Sequence, residues 1–508
     1  MLIHAFKPFR YTKDRRPFCD EFTAIFATLI SSLPLDTHTV GLFNAKYDFS
    51  FTSEEATENL SDLKLQQQNR TINSSGKVVI STTITTYEVD ARHCSELMQM
   101  FLDARVIRCI TDPDRVKFAP EMLFQPTPKG VFFVDMFSKR SGISSRNVVH
   151  LLTTYPAYVK LFIPDRDTTT DEMNTSEQVI NIIFQRFAGS QPNTSITPTL
   201  SSILSKDSSD SDSFTMADFY TDSSNGVRMH ESKRFHLREF RYCFSGRAAM
   251  LWLMDCTSIM SVSEAQTILN AFLCQELVIP LDSKATSGGK HFVMDKNAYY
   301  TISEQGKRLA EWPSSTFCLT VRSASPNPKR EAPTLLKITA GPEKKVSKLE
   351  YILKDPALRI LFTEHLAENF CDENLRFYLE SGKLLEQFHD LEQRNFSSSS
   401  KINVCLSESW MIYHAYVAPG SASELNIEHT LQHRVRKMMT AEENSNCSSE
   451  SIEKGLKNEA AVKKLQAIVQ IMTEVRAQVY RLMTSDSVPK FLSTKRYLAL
   501  TQKLNGDE

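Results

Sequence analysis

The residues able to do chemistry are few and scattered. The ten cysteines are Cys19, Cys94, Cys109, Cys243, Cys256, Cys274, Cys318, Cys371, Cys405 and Cys447. They form no C-x-x-C pair, and no His/Cys cluster has zinc spacing, so no metal site is expected. Several, such as Cys274 in AFLCQEL, sit in apolar helical patterns and read as buried free thiols, which fits a reducing compartment. There is no phosphate-binding G-x-x-x-x-G-K-[ST], no G-x-S-x-G and no H-E-x-x-H. Neither covalent chemistry nor a cofactor is therefore expected. What remains is chemistry of contact. Asp372 and Glu373 suit a helix start, where carboxylates meet free backbone N–H groups. Asn426 carries an amide that donates and accepts neutral hydrogen bonds; taken alone it reads as a turn or cap residue. Lys233, Arg234, Arg238, Arg241 and Arg247 cluster in sequence, either as a solvated face or as a docking surface for acidic groups.

These residues must be held by more than one core. A chain of 508 residues implies about two to four domains. It is 41% hydrophobic and 23% charged, as soluble globular proteins are. A net charge of −1 gives no support to nucleic-acid binding. The N-terminus, MLIHAFKPFRYTKDRRPF, has no apolar core of a signal peptide. No stretch approaches the roughly 18 apolar residues of a membrane span. A cytoplasmic protein with at most peripheral membrane contact is expected.

Two segments read as linkers. Residues 192–225 hold ten serines, five aspartates and one lysine, too little apolar surface to offset ordering entropy. Residues 313–345 carry Pro313, Pro326, Pro328, Pro333 and Pro342 among basic residues. Thr197-Pro198 and Ser325-Pro326 lie in them as candidate phosphorylation sites. The folded blocks are then 18–190, 228–312 and 346–500.

The first two blocks share a weak repeat. Phe51-Thr52-Ser53-x-x-Ala56 with Leu60 matches Phe244-Ser245-Gly246-x-x-Ala249 with Leu253. Phe101-Leu102-x-x-x-Val106-Ile107 matches Phe272-Leu273-x-x-x-Leu277-Val278-Ile279, and Phe124 to Gly130 matches Tyr300 to Gly306. Each copy reads as helix, helix, β-hairpin, a winged-helix arrangement; in the second, Val278-Ile279 and Phe292-Val293 are the expected strands. The Thr-rich stretch at about 65–90 reads as an added hairpin, and 135–190 as helices packed on the first copy. The pattern resembles the DEP domain, well in FSGRAAMLWLMD and NAYYTISEQG, less closely in FTSEEATENL and LFQPTPKG, which resemble the divergent N-terminal copy in fungal RGS proteins. The resemblance implies docking of the basic cluster to a receptor's cytoplasmic tail or an acidic membrane surface.

The third block reads as all helix. Leu349, Ile352, Leu353, Leu358, Leu361, Phe362 and Leu366 keep helical spacing, a break falls at Asn369-Phe370-Cys371, and a helix carrying Leu375, Tyr378 and Leu379 follows. Further helices are expected over 409–417, 424–439, 462–483 and 488–492. Three segments in order resemble the RGS (regulator of G-protein signalling) domain: LEYILKDPALRILFTEHLAENFCDENLRFYLE, Leu425-Asn426-Ile427, and VYRLMTSDSVPKFLSTKRYLAL. The resemblance implies contact with a Gα subunit through Glu373, Asn374, Asn426, Leu482, Asp486 and Ser487, with Lys490 where the family usually has arginine. Lysine keeps the charge and loses the planar fork. The expected architecture is thus mainly α and multidomain: two winged-helix DEP-like domains, then an all-helical RGS bundle. The implied function is GTPase activation on Gα in its transition-state form, damping receptor signalling. The rival is a scaffold that docks Gα without accelerating hydrolysis. The polar insertion 441–460 reads as a surface loop.

Overall fold

The structure, a computed structural model, describes residues 2–504 except 7–9, 41–44, 73–77, 87–90, 112–116, 142–144, 156–160, 195–219, 221–224, 236–237, 283–290, 314–346, 422 and 442–453. The two phosphorylation candidates, most of both linkers and much of the insertion lie outside the described residues.

The first two blocks have the same strand order. In the first, β2 (Asp36–Val40), β3 (Ala45–Thr52), β6 (Ile107–Cys109) and β7 (Leu123–Pro126) form a sheet ordered β2-β3-β7-β6. In the second, β8 (His230–Phe235), β9 (Arg238–Ser245), β10 (Val278–Pro280) and β11 (Tyr299–Ile302) form one ordered β8-β9-β11-β10. Each sheet embraces two helices: α2 (Ser53–Ser61) and α3 (Ala91–Asp103), then α7 (Gly246–Cys256) and α8 (Val262–Cys274), and the short α9 (Glu304–Leu309) follows the second sheet. The repeat in sequence is therefore a repeat in structure, with a strand pair ahead of each helix pair that the apolar periodicity did not signal. The last strand of the second copy is Tyr299–Ile302, and Phe292-Val293 is not a strand. Phe292 is instead a core residue stacked on Tyr300, with ring centroids 3.9 Å apart. Its apolar character served packing, not pairing.

Equivalent residues do equivalent work. Thr52 and Ser245 cap their helices by accepting from the Glu55 and Ala248 amides. Gly130 and Gly306 sit where a Cβ would strike the carbonyl oxygens of Val106 and Leu277. Close backbone approach explains both glycines. The inserted stretch forms the expected hairpin, β4 (Lys64–Ile72) with β5 (Val78–Thr86), and β1 (Leu2–Phe6) pairs parallel to β5.

The stretch 135–190 divides. α4 (Pro128–Ser141) and α5 (Arg146–Thr154) pack on α1 (Cys19–Ser32) of the first block, as expected. α6 (Glu177–Ala188) packs on the second block instead. Phe187 meets Phe244, Trp252 and Phe272, and Phe184 meets Phe272 at 5.1 Å. Arg166 holds Glu264 of α8 through two hydrogen bonds of 2.7 and 3.0 Å. Periodicity showed that this helix had an apolar face, but not which core would cover it.

The third block is helical throughout: α10 (Lys348–Lys354), α11 (Pro356–Glu368), α12 (Asp372–Gln393), α13 (Ser399–Ile412), α14 (His429–Ala441), α15 (Lys454–Leu482), α16 (Val488–Leu492) and α17 (Lys495–Leu504). Single turns of π-helix close α13 at Tyr413–Val417 and α15 at Met483–Ser487. The helix expected over 424–439 begins only at His429. Eight cysteines among the described residues are free thiols; Cys94, Cys109, Cys243, Cys256 and Cys405 are buried, whereas Cys274 is exposed on the outer side of α8. Its apolar neighbours face the core without it.

Candidate functional site

Three segments of the helical block present polar groups at its surface. The first is the turn between α11 and α12. Phe370 adopts a left-handed backbone (φ 55°) and is 92% exposed. A large aromatic held out by its own backbone is unusual and costs burial that the core could have used. Glu373 and Asn374 follow in the first turn of α12, both half-buried. Burial raises the Glu373 carboxyl above its ordinary pKa. The Asn374 amide nitrogen donates to Cys371 O at 3.3 Å and Glu373 Oε1 at 3.1 Å, while its Oδ1 is buried without a partner among the described residues. An unsatisfied buried acceptor of this kind is uncommon in folded proteins.

The second segment is the π turn and α16. Asp486 and Lys490 are exposed and paired at 2.7 Å, and Ser487 is buried. This segment lies beside the first. The Cys371 thiol neighbours the Ser487 hydroxyl and lies within the fields of Glu373, Asp486 and Lys490; burial is the largest influence, raising its pKa. Leu482, at the end of α15, is 36% exposed, so it is not a pure core residue.

The third segment is the loop between the first π turn and α14. Leu425 and Ile427 are buried and Asn426 between them is exposed. Two apolar anchors flanking an amide force it outward, as alternation does on a strand. The Asn426 amide makes no hydrogen bond among the described residues, and it does not cap α14. The loop is tied to the bundle by the Leu425 amide, which donates to Tyr416 O at 2.8 Å. Tyr416 in turn packs edge-on against Phe377 of α12, with centroids 5.7 Å apart, one turn beyond Asn374. The expected site residues thus come from three sequence-distant segments of one bundle. Phe370 was missed; its position at the break between two helical patterns was the available signal.

The five cations of the second winged helix do not share one face. In the β8–β9 ladder Lys233 faces Phe240 and Phe235 faces Arg238, while Ser232 faces Arg241 and Arg234 faces Glu239. Pleating therefore puts Lys233 and Arg238 on one side and Arg234 and Arg241 on the other, with Glu239 between the latter. Lys233 lies 3.8 Å from the Tyr299 ring centroid. Arg247 is half-buried in the first turn of α7. No group of metal-ligating side chains occurs among the described residues. No described helix is long and apolar enough to cross a membrane.

Comparison with known proteins assigns each block. Residues 21–154 match the fungal-differentiation regulator winged helix domain, 226–302 the DEP domain (found in Dishevelled, Egl-10 and Pleckstrin), and 348–500 the regulator of G protein signaling domain. The DEP match is single, which corrects the expectation of two DEP-like domains. The first copy shares strand order with the second, but it carries the β4–β5 insertion and has its own family. The chain is 33% identical to the developmental regulator flbA of Emericella nidulans over 508 residues, 98% of this chain and 66% of that protein. It is 24% identical to the regulator of G-protein signaling 1 of Schizosaccharomyces pombe over 492 residues, 95% of this chain and 90% of that one. A shorter stretch of 85 residues is 34% identical to rgs-6 of Caenorhabditis elegans.

Proposed function

This chain belongs to the fungal RGS proteins, and from that premise we propose that it binds the α subunit of a heterotrimeric G protein as GTP is being hydrolysed and speeds that hydrolysis. The observation that carries the reading is the outward amide of Asn426, held between buried Leu425 and Ile427 on a bundle that also presents Glu373, Asn374, Asp486 and Lys490.

Gα already holds an arginine in its own site, so what it lacks is order. A glutamine must orient the attacking water, and mobile switch loops must keep transition-state geometry. A rigid surface that fits those loops best in mid-reaction lowers the barrier without touching a proton. Asn426 suits the innermost contact because its amide gives and takes hydrogen bonds with no net charge. Phe370 supplies apolar contact area beside Glu373 and Asn374. Lys490, paired with Asp486, keeps a positive charge at this edge.

Single-turnover hydrolysis by purified Gα tests the reading. The chain should accelerate it and should bind GDP–aluminium fluoride Gα better than the GTP-analogue form. Asn426→Ala should lose on the order of 10²-fold of the acceleration with the melting temperature unchanged. Tight binding without acceleration would leave only a scaffold.

The DEP domain is the part we assign to peripheral recruitment, to a receptor tail or an acidic membrane surface. Arg234 and Arg241 share one exposed side of the β8–β9 ladder, each worth about 1 kcal/mol near an anionic surface. Reversing both to glutamate should reduce recovery on phosphatidylserine vesicles while leaving hydrolysis in solution intact. Unchanged recovery would remove the lipid role.

A further inference from the structure

We propose that Arg140, which belongs to the first winged-helix block and not to the RGS bundle, is a positioning residue for Asn426: the N-terminal block braces the loop that presents the amide. The proposal rests on the reading above for its consequence in hydrolysis, but not for its geometry.

The geometry is a short relay across the block boundary. Arg140 lies in the last turn of α4, and its Nε is 3.2 Å from Oε1 of Glu380 on α12. The Glu380 carboxylate is only 18% exposed and also neighbours the Tyr416 hydroxyl. The Tyr416 side chain is buried, and its carbonyl accepts the Leu425 amide, the residue before Asn426. Arg140, Arg376, Glu380, Tyr416 and Ser423 line one cavity of about 150 Å³, so the block boundary reaches within three residues of Asn426. A second ion pair, Lys383 Nζ to Asp20 Oδ2 at 2.8 Å, joins α12 to α1 of the same N-terminal block one turn further along α12.

The loop is anchored at its far end by buried Leu425 and Ile427 and by Glu424, which accepts from the Gly420 amide at 3.0 Å and from Gln432 Nε2 at 2.9 Å; the brace acts at its near end, on Tyr416. Besides the Leu425 amide, its backbone-to-backbone bonds are the local ones of Ala418 to Tyr413, Ser421 to Ala418 and Ile427 to Leu425. Gly420 adds a left-handed turn with φ 76° and open space around it. Tyr416 sits in a turn of π-helix, a conformation with poorer intrinsic stability than the α-helix it ends. Removing Arg140 leaves Glu380 half-buried beside Tyr416 with its paired cation gone, and the carboxylate is then drawn toward solvent. The aromatic loses its fixed neighbour and the loop its anchor. Phe370, Glu373 and Asn374 are set by the start of α12 and do not depend on this relay, so ground-state binding of Gα persists while the transition-state contact loosens.

The test uses the full chain with Gα in excess and resolves the maximal rate from KM. Arg140→Ala should lower the maximal rate on the order of tenfold with KM changed less than twofold. Arg140→Lys should retain most of the rate. The exchanged pair, Arg140→Glu with Glu380→Arg, should recover what Arg140→Glu loses. Amide hydrogen exchange supplies an arm independent of hydrolysis: Arg140→Ala should raise exchange at Leu425 and leave the α15 amides protected. Full maximal rate in Arg140→Ala, or unchanged exchange at Leu425, overturns the proposal. A wild-type chain that gives no acceleration sinks the hydrolytic reading instead, and the exchange arm still decides the brace.

Discussion

At the scale of single residues, exposure separates binding from folding. Asn426 and Phe370 are both presented to solvent, and neither contributes to the core. Their types were readable, but their roles follow from what flanks them. For Asn426 the flanks are two buried aliphatics; for Phe370 it is a left-handed backbone at the end of a helix. Phe370→Ala should therefore leave thermal stability unchanged and raise KM for Gα about tenfold, as loss of an aromatic anchor does. Titrating Gα in the hydrolysis assay measures it; an unchanged KM would place the aromatic outside the interface. Lys490 illustrates the opposite case. Its Nζ is 2.7 Å from Asp486, so its charge is partly answered within the chain, and an exposed pair of this kind adds little to stability.

At the scale of elements, the π turns stand where function is assigned. One ends α13 and leads into the Asn426 loop; the other contains Asp486 and Ser487. Apolar periodicity located the helices around both, yet extended one through 424–428, where Leu425 and Ile427 are apolar at alternate positions. Two apolar residues two apart fit a helical stripe poorly and an extended segment well, and the local pattern was too short to decide. The winged helices show the same limit. Their caps and the paired glycines Gly130 and Gly306 were legible as a repeat, because a Cβ at either position meets a backbone carbonyl in the same place. The choice of Tyr299–Ile302 over Phe292-Val293 as a strand was not, since stacking and strand pairing both favour aromatic and β-branched residues.

At the scale of the whole molecule, charges buried between blocks make them one body. Arg105 of the first block grips Asp255 of the second through contacts of 2.5 and 3.2 Å, and both are buried. Lys129 donates to Met254 O at 2.7 Å and to Ile259 O, and burial lowers its pKa to about 7. Arg359 joins Asp165 at 2.6 and 3.1 Å, and Arg186 joins Glu364, so α11 is tied to the segment around the second block. Arg105→Ala strands a buried carboxylate and should cost roughly 3–5 kcal/mol. Chemical denaturation should show the two winged-helix blocks losing stability together. Separate, unchanged transitions for the two winged helices would show that the pair does not couple them.

The chain's own residues determined most of the helices of the last block, and that this bundle carries the words of an RGS domain. Those properties depend on neighbours within a turn or two, and on motifs that are contiguous. Only the tertiary structure decided which core receives α6, that four of the five cations fall on opposite sides of a strand pair, and that Arg140 reaches Glu380 across a block boundary. Each of these is a relation between side chains separated by tens to hundreds of positions. Pleat, helix packing and charge pairing set them, and none leaves a periodic mark along the chain.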